Sequence, residues 1–297
     1  MSLPQPQRLA PGLWRLGGHH IPAFLIRSQG QAALFEVGIS QGARLVLEQL
    51  DWLGVAREEV GWLILSHAHS DHATGQQALL RGLPRAVLLM SPASRRHLAK
   101  SGTLEQFAEE DVFTGREIAR REGFGSAPEP VTSLLPGRVE TVELGQALAV
   151  GDLSLEFLAG RGHAPGALLA WLPQAGAILA SDSAGFLVEG RPQFPLFFVS
   201  YAQYQETVAR LRSLGARVLA PGHQQSLQGE AVDRYLAALA ADMEEFREQV
   251  RRRIQSRSQQ EVAQEIFTRY YEKELAIYPP ESIRECCRIL VRRSLED

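Results

Sequence analysis

The sequence predicts an α/β protein with sheets covered by helices, followed by a helical C-terminal extension. Three observations carry that prediction. Short apolar runs alternate with helical stretches through the first two thirds of the 297 residues. From Gly229 onward, apolar residues recur every three or four positions instead. Hydrophobic residues at 45% and charged residues at 22% give material for a core and exclude a disordered chain.

In chain order, residues 23–27 and 32–37 read as paired strands across a turn at Ser28, Gln29 and Gly30, and a helix follows over residues 42–52. The apolar runs 62–65 and 86–90 read as buried strands. Residues 101–136 are polar and weakly periodic. They read as an insertion with some helix, serving as a lid or as a plain surface excursion. Further strands are placed at 154–158, 167–171, 177–180 and 217–220. Val232, Tyr235, Leu236, Leu239, Met243, Phe246, Val250 and Ile254 then mark one long amphipathic helix. A second helix is expected over residues 259–275. Pro279 and Pro280 interrupt the pattern, and a last helix carries Ile283, Cys286, Cys287, Leu290 and Val291 on one face. The expected organisation is a catalytic domain over 1–228 and a helical extension over 229–297.

The net charge of -3 exerts no general pull on nucleic acid, which is not an expected partner. Of the 31 basic residues, lysines are confined to Lys100 and Lys273; the arginine excess is read as genomic bias. No apolar run approaches the roughly 18 residues that span a bilayer, and no signal peptide is read at the start. No membrane partner is expected, and the expected location is cytoplasmic. Cys286 and Cys287 are adjacent, so they suit neither a disulfide with each other nor a thiolate zinc site.

Five of the eight histidines lie in short motifs at strand ends. In His67-Ala68-His69-Ser70-Asp71-His72, residues two apart in an extended segment share a side, so His67 and His69 can serve one metal. Asp71 and His72 sit at the turn into a helix and face a neighbouring position. His163 lies in a glycine-rich turn, Asp182 ends an apolar strand, and His223 follows Pro221-Gly222. Imidazole and carboxylate are ligands of zinc, iron and manganese. His67, His69 and His163 are assigned to a first divalent metal ion. Asp71, His72 and His223 are assigned to a second, with Asp182 bridging. Two divalent ions with two carboxylates and a shared hydroxide keep a net positive charge, which favours anionic transition states.

These residues resemble the metallo-β-lactamase-fold hydrolase superfamily over roughly residues 10–228. The resemblance implies an αββα sandwich with a dinuclear site where strand-end loops meet. Glu36 stands where many members carry an aspartate that supports the ligands. His72 following Asp71, with no cysteine near a motif, sets the chain apart from β-lactamases that place a cysteine at the second metal. His69 sets it apart from flavodiiron proteins. The pattern fits glyoxalase II, lactonases, RNase Z-like nucleases and related thioesterases. Residues 21–25, 36–40 and 62–67, the insertion and the tail are most similar to thioesterases of the quinolone-signal type, which act on 2-aminobenzoylacetyl-CoA. That likeness implies iron. Four residues beyond Asp182 those enzymes carry a pocket glutamate, whereas this chain has Phe186.

The expectation is therefore a metal-dependent hydrolase of a small-molecule thioester or activated ester. Its nucleophile is a metal-bridging hydroxide, and Asp71 is the catalytic carboxylate. The alternatives are a phosphodiesterase or nuclease on the same site, and a regulatory scaffold dimerising through the helical tail. Residues 186–188 and 195–198 can line an acyl pocket, although core packing is the preferred reading. Tyr201 and Tyr204 can reach substrate or simply face solvent on a helix. His19 and His20 can lie near the site mouth, but a surface or structural role is the preferred reading. Arg247, Arg251, Arg252 and Arg253 are read as a solvated helix face before a phosphate or RNA contact. Both cysteines are read as helix packing.

Overall fold

The computed structural model describes residues 3–123, 130–135, 137–190 and 192–296. Phe124, Gly125 and Ser126 of the insertion lie outside them. The first sheet contains β1 (Gln7–Ala10), β2 (Leu13–Gly17), β3 (Pro22–Ser28), β4 (Gln31–Phe35), β5 (Val60–Ile64), β6 (Val87–Met90) and β7 (Val139–Thr141), in chain order. β1 to β4 pair antiparallel, and β4 to β7 pair parallel. The second sheet contains β8 (Ala147–Val150), β9 (Leu153–Ala159), β10 (Leu168–Leu172), β11 (Ala177–Ser181), β12 (Val218–Pro221) and β13 (Leu227–Gln228). Only β11 and β12 run parallel there.

Parallel neighbours need helical crossovers. In the first sheet these are α1 (Gly42–Trp52), then α2 (Ser70–Ala73) with α3 (Gln76–Gly82), then α4 (Pro92–Leu98) with α5 (Thr103–Glu122). α6 (Tyr201–Ser213) joins β11 to β12, and α7 (Glu230–Arg253), α8 (Gln259–Tyr270) and α9 (Pro280–Leu295) complete the chain. The layers follow from strand alternation. Ala33, Phe35 and Ile64 pack inward against Leu155, Phe157 and Leu179 of the second sheet. Leu34 and Leu63 face outward to Leu50 of α1, Leu79 of α3 and Phe107 of α5. Ile178 and Leu219 face α6 to α9 through Leu211, Leu239, Ile266 and Leu290. Strands buried on both faces explain why these runs read as continuously apolar. The fold is thus an αββα sandwich with C-terminal helices packed on one outer layer.

Local chemistry sets several helix starts. Ser91 accepts from the Ser94 backbone N–H and is followed by Pro92 at the first turn of α4. Ser258 and Glu261 form a reciprocal capping box on α8.

The insertion holds the helix expected of it, and two other readings need correction. The insertion over 101–136 contains a twenty-residue helix, α5. Its buried face, Phe107, Asp111, Thr114, Gly115 and Ile118, keeps helical spacing but is partly polar, so hydropathy alone understated it. Asp111 is buried because it accepts from the Ser40 backbone N–H at 2.9 Å and from the hydroxyls of Ser40 and Thr74. The helix expected over 259–275 stops at Tyr270, and a short 3-10 turn over Lys273–Ile277 follows. Lys273 opens this turn with a φ of +47°. β1, β2, β7, β8 and β13 were not read from sequence at all. No described helix is long and apolar enough to cross a membrane.

Candidate metal centre

Strand ends bring the seven motif residues together. His67 and His69 follow β5, Asp71 and His72 begin α2, His163 follows β9, Asp182 follows β11 and His223 follows β12. They form two groups able to hold a metal ion: His67, His69, His163 and Asp182, and then Asp71, His72 and His223. In the first group His67 Nε2 and His69 Nδ1 are 3.0 Å apart, and His163 Nε2 lies 3.2 and 3.1 Å from them. Asp182 spans both groups. Its Oδ2 is 3.8 Å from His67 Nε2 and 3.2 Å from His163 Nε2. Its Oδ1 is 3.3 Å from His72 Nε2 and 3.2 Å from His223 Nε2.

These separations fit a cation. Tetrahedral ligands at bond lengths of about 2.0–2.1 Å stand roughly 3.3 Å apart. His72 Nε2 and Asp182 Oδ1 are buried without a hydrogen-bond partner. Such orphaned groups are costly unless something fills the space between them. Burial, reinforced by neighbouring imidazoles, lowers the pKa of His67 far below its ordinary range and that of His69 to about 3. Both therefore offer lone pairs. Burial also opposes charge on His72 and His223, but Asp71 and Asp182 outweigh it and raise both. The same pairing holds Asp71 and Asp182 below the usual carboxylate range, against burial.

Four of the five imidazoles are aimed by their other nitrogen. His163 Nδ1 donates to the Leu196 carbonyl at 2.8 Å, and His223 Nδ1 to the His20 carbonyl at 3.0 Å. His72 Nδ1 lies 2.9 Å from Glu36 Oε2, which also accepts from Ser66 at 2.8 Å. Ser66 Oγ is 3.0 Å from His67 Nδ1. Such contacts fix ring orientation and ligand basicity. The backbone carries strain at the same places. Glu36, Ser181 and Gln224, the last two flanking Asp182 and His223, adopt φ of +71°, +46° and +59°. Gly162 permits the sharp turn into His163 at φ of +95°; a Cβ there would lie 2.3 Å from the Tyr204 backbone nitrogen.

A cavity of about 370 Å³ opens beside the centre. Phe186, Leu196, Phe198, Leu275, Tyr278 and Ile283 contribute to its wall. The apolar residues expected in the core therefore divide, because Phe197 and Val188 are packed away while Phe186 and Phe198 reach the cavity. Cys286 also lines it, and Cys287 is buried in the helical core. Burial pushes both thiols well above their ordinary range, that of Cys287 to about 12, so neither is a ready nucleophile.

Tyr204 is buried, and its hydroxyl donates to the Asp182 carbonyl at 2.8 Å; Tyr201 donates to Glu244 at 2.5 Å. His20 is structural, as expected, held by Glu122 at 2.5 Å. Arg247 and Arg251 are not a purely solvated face. Both donate to the Ser294 and Glu296 carbonyls and so tie down the C-terminal end of α9. Glu122 and Tyr278 were missed from sequence. No spacing signal joins either to the histidine motifs, and long-range folding alone brings them there.

A profile of the metallo-beta-lactamase superfamily matches residues 16–223. Among solved structures, a metallo-beta-lactamase family protein from Thermus thermophilus superposes with a TM-score of 0.65 at 20% identity, covering 93% of each chain. A Cronobacter sakazakii metallo-beta-lactamase gives a TM-score of 0.58 at 19% identity, covering 82% of this chain and 97% of its own. The MIM-2 metallo-beta-lactamase gives 0.56 at 25%, covering 81% and 89%. β-Lactamases are thus among the fold neighbours, and any argument about substrate rests on the site rather than on the fold.

Proposed function

The chain belongs to the metallo-beta-lactamase superfamily, and on that premise we propose that it is a metal-dependent hydrolase of a thioester or comparably activated ester. It would work with two divalent cations, zinc or iron, with manganese also compatible. His67, His69 and His163 would hold one, Asp71, His72 and His223 the other, and Asp182 would serve both. When bound, such a pair polarises a carbonyl and brings the pKa of water toward neutrality.

The residues do the rest. Asp71 would orient the attacking water and accept its proton. Attack forms the acyl carbon–oxygen bond as the carbon–sulfur bond breaks. The thiolate leaves with the bonding pair. A thiol pKa of about 8.5 lets it leave without a general acid.

The observation that carries the substrate class is the charge of the cavity. Its described lining includes Asp71, Glu110, Asp182 and Glu285 and no lysine or arginine. Glu110 is further fixed by Ser70, Gln106 and Ser282. A phosphodiester or a carboxylate-bearing β-lactam finds no lysine or arginine in this lining. A neutral, apolar acyl group fits the aromatic wall.

The test is hydrolysis by metal-analysed protein of neutral acyl-CoA thioesters beside a succinyl thioester, a cephalosporin and bis-p-nitrophenyl phosphate. Neutral acyl thioesters should dominate, and their turnover should vanish in His67→Ala. Dominant phosphodiester or cephalosporin turnover would overturn the proposal.

A further inference from the structure

The ligand assignment leaves the hydroxyl of Tyr278 without a role. It donates to Asp71 Oδ2 at 2.9 Å, across 207 residues of chain. That same oxygen lies 3.6 Å from His72 Nε2 and 3.5 Å from His223 Nε2. The phenol oxygen is also 3.4 Å from His223 Nδ1. The second ligand set and one side chain of the C-terminal helices therefore converge on a single carboxylate oxygen.

The segment that delivers Tyr278 is held from several sides. Its carbonyl accepts from the Tyr271 hydroxyl at 2.9 Å, and its N–H bonds to the Leu275 carbonyl at 3.2 Å. Arg121 of α5 donates to the Lys273 carbonyl at 2.5 Å. Pro279 and Pro280 then fix the entry into α9. The Tyr278 ring packs 6.2 Å from those of Phe186 and His223, centroid to centroid. A phenol satisfied by any backbone carbonyl would serve packing equally well, yet this one donates to an Asp71 oxygen that faces two histidines.

We propose that Tyr278 is a positioning residue of the metal centre. Its O–H holds the Asp71 carboxylate in the orientation that serves the second cation, which makes the C-terminal helices part of the site. The proposal rests on the two-cation reading above. Groups that hydrogen-bond to metal ligands typically change affinity or activity about 10–100-fold when removed.

The test compares Tyr278→Phe with Tyr271→Phe. The first removes the O–H that reaches Asp71 and keeps the ring. The second removes a hydrogen bond from the same segment without touching a ligand. Zn²⁺ affinity is measured by competition with a chelating dye, alongside kcat and KM for a thioester and thermal midpoints in chelator. Tyr278→Phe should weaken the second Zn²⁺ equivalent about 10–100-fold and lower kcat more than it raises KM. The first equivalent and the metal-free midpoint should match those of Tyr271→Phe. Unchanged zinc affinity and kcat in Tyr278→Phe would overturn the proposal, as would an equal loss in Tyr271→Phe. A wild-type chain that binds fewer than two equivalents would instead overturn the two-cation reading itself, and this proposal with it.

Discussion

At the residue scale, Gly222 shows how tightly the centre is built. A Cβ at that position would lie 2.6 Å from Asp182 Oδ1 and 3.0 Å from His72 Cε1. The glycine is required for space, because both neighbours are candidate ligands and neither is a flexible surface group. Gly222→Ala should displace the Asp182 carboxylate, reduce bound metal and destabilise the fold by about 1–3 kcal/mol, the usual cost of overpacking. Metal analysis with chemical denaturation checks this; full metal content at unchanged stability would contradict it. The motif residues were legible in sequence because each is a short, chemically distinctive signature at a strand end. Asp182 Oδ1 and Oδ2 face different histidine sets. The hydrogen bonds that aim the rings were less legible. His223 is aimed by the backbone carbonyl of His20, and a carbonyl leaves no trace in residue identity.

At the element scale, α5 connects the insertion to the site. Its last residue, Glu122, accepts from the backbone N–H groups of His19 and His20 and pairs with the His20 imidazole. Burial alone would raise the Glu122 carboxyl, but these contacts hold it below its ordinary 4.5. A depressed carboxylate contributes stability that is complete above its unfolded pKa and is lost as pH falls through the lower folded value. Glu122→Gln should therefore cost most near neutral pH, about 1.5–3 kcal/mol for hydrogen bonds to a charged group. The difference from wild type should shrink in acid. Denaturant midpoints across pH check it; a difference that does not change with pH would contradict the account. The length and bounds of α5 were not legible because its buried stripe carries Asp111 and Thr114, whose burial depends on partners in distant loops. The edge strands escaped for a related reason. β7 and β8 are short and largely exposed, so they lack the apolar signature of the central strands.

At the scale of the whole molecule, the C-terminal helices share one buried cluster with the second sheet. The fully buried Leu290 of α9 belongs to it together with Ile178 of β11. Leu290→Ala should cost about 2–5 kcal/mol and leave a single cooperative unfolding transition. Loss of helix at a separate, lower midpoint would show the extension to be an independent unit. The sandwich could be anticipated because its central strands are apolar and carry the motifs. The return of the tail to the site through Tyr278 could not, since tertiary packing alone specifies it.

The most direct measurement of the central claim is the divalent metal content of dialysed wild-type protein and Asp182→Ala, with thioester turnover followed on the same samples. A carboxylate shared by both ligand sets predicts two metal equivalents in wild type, one or fewer in the variant, and turnover lost with the metal. Two retained equivalents and undiminished turnover in Asp182→Ala would contradict it.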